Sequence, residues 1–196
     1  MKTEPLNTIA DVITGVPLSR LQKDSAKGEA AEVNVLMPQA ITSYGIDISR
    51  TKTALVHGAG QQFFTQEGDV VLKVSPPYDC AYINGTVAGL LVTSTCLILR
   101  PQQDAKTYGR YLAAYFSGSR GMQELRAMSK GTAVKTIKKK ELEATSVPTL
   151  SSEERQQLAD THKKVRAIKA LCREFESKSE TLLASELDRL LQNNDN

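Results

Sequence analysis

The sequence predicts an α+β protein: a mixed, strand-rich domain followed by one long helix that packs as a coiled coil. Short apolar runs separated by Gly and Pro fill residues 1–147. An apolar stripe at helical spacing runs from Ser151 to Gln192. The two patterns meet at Pro148, after which neither Gly nor Pro occurs through Asn196. Residues 1–147 are therefore read as the domain, and 148–196 as a long C-terminal dimerisation and spacer helix.

In the domain, Leu6, Ile9, Val12 and Ile13, closed by Gly15, read as a short amphipathic element. Residues 20–32 read as a polar loop. Val33 to Met37, stopped by Pro38, is a strand, and so is Thr53 to His57. The turn Gln66-Glu67-Gly68-Asp69 leads into the strand Val70 to Val74, which Pro76-Pro77 ends. Tyr82-Ile83, Thr86 to Ala88 and Leu91-Val92 are strand material around Gly85 and Gly89. Cys96 to Leu99, ended by Pro101, is a further strand. From Lys106 the period changes: Tyr108, Tyr111, Leu112, Tyr115 and Phe116 recur at helical steps. Gly118 and Gly121 should break that helix, and Met122, Leu125 and Met128 continue a second one. Thr132 to Lys140 reads as extended chain or loop.

The last segment opens on Ser151 and Glu154, the pair of a capping box. Leu158, Val165, Ile168, Leu171, Cys172, Phe175, Leu182, Leu183, Leu187 and Leu190 then lie along one stripe. Leu158–Val165–Cys172 and Ile168–Phe175–Leu182 keep heptad spacing, and a stutter follows Leu182. At 1.5 Å per residue the helix is about 60 Å long. It is expected to project and to bury its stripe against a second copy or another protein. The expected interface residues are Leu158, Val165, Ile168, Cys172, Phe175, Leu182 and Leu187.

Charge is unevenly spread over the 196 residues. Residues 101–140 hold nine basic and two acidic residues, and each flanking region is net negative. That segment is where an anionic partner is expected. Cys80, Cys96 and Cys172 have no spacing suited to a disulfide framework or a zinc ribbon, and His57 and His162 stand apart. No metal and no cofactor are expected. The N-terminus lacks a signal-peptide pattern, and the apolar run Thr86 to Leu99 is too short to span a bilayer. The reading is a soluble, cytoplasmic protein without membrane contact.

Two motifs point to nucleic acid. Ser75-Pro76-Pro77-Tyr78 follows an apolar strand and is similar to the catalytic motif of DNA amino-methyltransferases, in which the aromatic ring stacks on a flipped base. Such an enzyme needs S-adenosylmethionine, and its glycine-rich turn belongs well upstream. His57-Gly58-Ala59-Gly60 leaves no room for the intervening elements. The competing reading is a Pro-Pro turn ending a strand. Lys130-Gly131-Thr132, followed by Lys135, Lys138, Lys139 and Lys140, supplies backbone, hydroxyl and ammonium donors for phosphate, without Walker spacing. Glu67 and Asp69 flank a turn and make a poor acid–base pair. The spacing supports no Ser/His/Asp or Cys/His arrangement.

The order of segments resembles the DNA specificity subunit of type I restriction–modification systems. The matching segments are Leu6 to Gly15, Glu67 to Leu72, Cys96 to Pro101, Tyr111 to Phe116, Gly131 to Ile137 and Val147 to Gln157. The resemblance implies a target recognition domain followed by a long helix that pairs in an antiparallel coiled coil. It implies no catalysis of its own. The implied partners are double-stranded DNA, adenine methyltransferase (modification) subunits and restriction subunits. Typical members carry two domains and two helices; this chain has one set, so it is expected to homodimerise and to read a bipartite, palindromic site. On this reading Arg120, Lys130, Gly131, Thr132, Lys135, Lys138 and Lys139 contact phosphate, and Tyr44, Lys73, Ser75 and Tyr78 are candidates for base contact. The alternatives are a methyltransferase using Ser75 to Tyr78, and a coiled-coil adaptor without specific DNA binding.

Overall fold

A computed structural model describes residues 2–23, 29–129 and 136–194. The first part of the chain forms β1 (Thr3–Pro5), β2 (Ala10–Thr14), α1 (Leu18–Lys23), β3 (Ala30–Leu36), β4 (Ile41–Thr42), β5 (Gly45–Ile46) and β6 (Lys52–His57). Next come β7 (Val70–Lys73), β8 (Cys80–Tyr82), β9 (Leu91–Val92) and β10 (Cys96–Pro101). The helices α2 (Ala105–Ser117), α3 (Ser119–Met128) and α4 (Lys139–Glu143) precede β11 (Ser146–Pro148), and α5 (Ser152–Asn194) ends the chain.

A four-stranded antiparallel sheet in the order β2-β10-β7-β8 is the centre of the domain. Side chains alternate across it, as the pleat requires. Val70, Leu72, Leu97 and Leu99 face a core shared with Tyr111, Leu112, Phe116 and Leu125 of α2 and α3. Val71, Cys96 and Ile98 face the opposite way, onto Leu36, Ile41, Ile83 and Val92. Burial on both faces is why β7 and β10 read as unbroken apolar runs. The second sheet, β6-β3-β9, packs with α1 around Leu21, Val35, Val56 and Leu91.

The Glu67–Asp69 turn is structural. Asp69 is 1% exposed and accepts from Arg100 Nε at 2.9 Å and Nη2 at 2.8 Å. It also accepts from the Gln66 N–H at 2.8 Å, and Arg100 donates to the Phe64 carbonyl at 2.9 Å. A buried carboxylate satisfied this fully holds the turn before β7 in place. The glycine of this turn lies against α2: a Cβ at Gly109 would meet Gly68 O at 2.0 Å. Only glycine permits that approach.

Several sequence expectations change. Leu6 to Gly15 contains a 3-10 turn and the strand β2, and α1 occupies part of the segment read as a loop. Gly118 separates α2 from α3, but Gly121 lies inside α3, where a Cβ would meet Tyr115 O at 2.3 Å. Lys139 begins a short helix. The boundary at 147/148 falls inside β11, which pairs with β1.

The capping box forms as expected. The Ser151 N–H donates to Glu154 Oε2 at 2.8 Å, and the Glu154 N–H donates to Ser151 Oγ at 3.2 Å. α5 has 43 residues, yet its first part does not project. It lies on α2, with Ala159 buried and Leu158 packed against the central core. Leu158, expected in an interface between copies, is in heptad phase and half-buried against the central core. Among the described residues, no helix is long and apolar enough to cross a membrane.

Candidate nucleic-acid interface

The end of β7 and the basic segment meet in space. The Ile137 N–H donates to the Val74 carbonyl at 2.8 Å, and the Val74 N–H donates to the Thr95 carbonyl at 3.1 Å. This ladder puts the Ser75 turn and Lys138 on one edge of the domain. Ile137 is buried and anchors the chain there, and the side chains of Lys138 and Lys139 that follow are exposed.

Ser75 is exposed at the turn. Tyr78 is not: it is 3% exposed, at φ 60°, and packs in the central core. Its N–H closes the turn onto Ser75 O at 3.0 Å. The ring has no face to offer a base, which removes Tyr78 from the expected contacts and takes away the stacking step of the methyltransferase reading. Lys73 is bound to Asp79 at 2.8 Å with its side chain only 12% exposed. Its charge is largely matched within the protein. It lines a cleft together with Gln39, Tyr44, Arg50 and Arg173. Tyr44 is half-buried in the loop between β4 and β5.

Arg120, Lys138 and Lys139 are exposed cations. They pair with Glu124 at 3.6 Å, Glu141 at 3.8 Å and Glu143 at 3.5 Å, all one helical turn away. Surface pairs of this kind contribute about 0–1 kcal/mol, so exchanging them for phosphate costs little. Lys130, Gly131, Thr132 and Lys135 lie outside the described residues.

Ala159, His162 and Arg166 recur on the face of α5 turned to the domain. Arg166 donates to the Cys80 carbonyl at 3.3 Å and the Thr42 carbonyl at 3.2 Å, joining helix, central sheet and β4. Burial is the main cause that lowers the Arg166 pKa and pushes that of His162 down to about 4, so His162 is neutral at physiological pH. The Arg155 guanidinium covers the Tyr108 ring at 4.4 Å. Sequence reasoning missed Arg166; its signal was a basic residue in helical phase with Ala159 and His162.

Beyond this clamp the apolar stripe is bare. Val165 is 43% exposed, Ile168 59%, Phe175 73% and Leu182 71%. Cys172, Leu171, Leu183, Leu187 and Leu190 are also exposed. Contiguous exposed apolar faces are uncommon on single soluble chains. Charge along the stripe is polarised. Residues 161–173 carry five basic and no acidic side chains, whereas 174–188 carry five acidic and one basic.

No family model matches the sequence, and no curated protein matches it significantly. Solved structures do match. One is a chain described in work on complex assembly and conformational transition of the type I R-M system, with 17% identity and a TM-score of 0.62 over 95% of this chain. Another is the HsdS subunit from Thermoanaerobacter tengcongensis, with 17% identity and a TM-score of 0.60 over 92%. A third is the type I restriction–modification S subunit from M. genitalium, with 14% identity and a TM-score of 0.55 over 93%. This chain has the fold of a type I S subunit. It spans 48%, 46% and 43% of those chains. The S-subunit fold covers both the strand-rich domain and the long helix, so their pairing in one chain is a property of that fold.

Proposed function

We propose that this chain is the DNA-recognition component of a type I-like restriction–modification complex and that it acts as a pair of identical copies. The observation that carries the pairing is the projecting part of α5. Its apolar stripe is uncovered, and the flanking charge changes sign halfway along. An antiparallel second copy sets residues 161–173 against 174–188, basic against acidic. A parallel copy sets like against like, which is unfavourable. The same chain therefore supplies both halves of a complementary seam.

On this reading the domain, residues 1–147, reads one half-site, and the seam fixes the separation of two half-sites. Two-fold symmetry then calls for an interrupted palindrome. Arg120, Lys138 and Lys139 supply phosphate contacts, as do Lys130, Gly131, Thr132 and Lys135 from the neighbouring segment. Ser75, on the same edge, reaches toward base or backbone, and Tyr44 and Lys73 flank it from the adjoining cleft. The chain contributes recognition and no catalysis. Adenine methyltransferase and restriction subunits supply the chemistry, in the cytoplasm where the DNA lies.

Duplex binding measured against salt tests the DNA half of the proposal. Each phosphate contact contributes a slope of about −0.9 in log K against log salt. Lys138→Ala with Lys139→Ala should weaken binding on all sequences and reduce the slope by about 2. A protein without duplex affinity at low salt, or an unchanged slope in the double variant, contradicts the assignment.

A further inference from the structure

A cavity of about 450 Å³ lies between the β4–β5 loop, the end of β8 and α5. This is within the size range of small-ligand sites, about 300–1,000 Å³. Ile46, Ile48 and Val87 form an apolar wall. Arg110 and Lys163 line it as well, and among the described residues no Asp or Glu does. The Arg110 guanidinium sits over the Tyr82 ring at 5.2 Å. Among the described residues neither Arg110 nor Lys163 meets a carboxylate; the nearby Glu67 is held by Lys106 at 3.1 Å. Tyr82 also lines the cavity, and its hydroxyl is buried without a hydrogen-bond partner. Buried hydroxyls are normally satisfied; this one lies under the Arg110 guanidinium, and Lys163 lines the same cavity.

We propose that this cavity binds a carboxylate carried on an apolar or aromatic body. The body fills the wall of Ile46, Ile48 and Val87. The carboxylate accepts from Arg110, Lys163 and the Tyr82 hydroxyl, completing the three donors that the fold leaves open. A duplex phosphate fits less well, because it lies on a convex rod and brings no apolar group to the wall. The open basic edge at Lys138 and Lys139 suits phosphate better. The assignment does not depend on the DNA reading: Tyr44 lines the cavity as well, but the three donors, Arg110, Lys163 and Tyr82, are not proposed DNA contacts.

The carboxylate can come from a small molecule or from an acidic side chain of a protein, and a titration of the intact chain followed by NMR separates the two. The probes are 4-phenylbutyrate, its uncharged amide, inorganic phosphate, and a capped tripeptide with glutamate between leucine and phenylalanine. Saturable shifts at Tyr82, Arg110 and Lys163 are expected with one or both carboxylates, with the better binder identifying the source. Loss of one charge-assisted hydrogen bond should weaken binding about tenfold or more, so the amide should bind that much less tightly. Tyr82→Phe and Lys163→Ala should each do the same while leaving the melting temperature unchanged. Binding of the amide or of phosphate as tight as that of the acids overturns the proposal. So does unaltered affinity in both variants, or no saturable shift with either carboxylate.

Discussion

Ile168→Asp combined with Phe175→Asp should dissociate the pair of chains. In the single chain these side chains are 59% and 73% exposed, so nothing in the domain covers them. Fully burying an Ile or Phe side chain contributes about 1.5–3 kcal/mol, and scaling to the uncovered part leaves about 1–2 kcal/mol each. A two-fold pair contains four such side chains, so their loss costs about 4–8 kcal/mol, or about three to six orders of magnitude in the dissociation constant. Placing carboxylates in an apolar seam adds to that. Sedimentation equilibrium at micromolar concentration should report a dimer for the unaltered chain and a monomer for the variant. Thermal unfolding of the domain core should not move, because neither residue touches it. An unaltered chain that sediments as a monomer refutes the reasoning. So does a double variant that remains a dimer.

Other consequences concern the domain. Asp69→Ala leaves the largely buried Arg100 guanidinium unmatched and should lower stability by about 3–5 kcal/mol in urea unfolding. A loss below about 1 kcal/mol would mean that the pair is replaceable by water. His162 has a folded pKa of about 4 against 6.5 when unfolded, chiefly through burial and then through Arg166 and Lys169. As pH falls through that window the unfolded chain takes up a proton that the folded one refuses. The associated stability is complete above 6.5 and lost toward 4; its partial exposure limits the effect to about 1–2 kcal/mol. His162→Gln should flatten urea-measured stability between these two pH values, and an unchanged pH profile would show that His162 is not the group responsible.

Where the sequence carried enough local information, it was read correctly. β7 and β10 are apolar on both faces, α2 repeats at helical steps, and Ser151 with Glu154 forms the capping box that starts α5. The misreadings have physical causes. Leu6, Ile9, Val12 and Ile13 mark an amphipathic element without fixing its type over so short a window, and pairing with β10 makes part of it the strand β2. Leu158 continues the heptad arithmetically, but a heptad does not tell which partner covers it. In the candidate site, Tyr78 looked like a surface aromatic in a turn, and only the tertiary packing turns it inward. Val74 and Ile137 are far apart in sequence, so nothing local indicated that the Ser75 turn and Lys138 share an edge. The Arg166 clamp was hidden for the same reason, since its acceptors are backbone carbonyls that no residue pattern reveals.

Selection of binding sites from random duplex DNA by the intact chain tests the central claim most directly. If two copies read DNA through domains set apart by an antiparallel seam, the selected sequences will share an inverted repeat with one fixed spacing. Recovery of a single unrepeated half-site, of repeats at variable spacing, or of no common sequence at all contradicts that account.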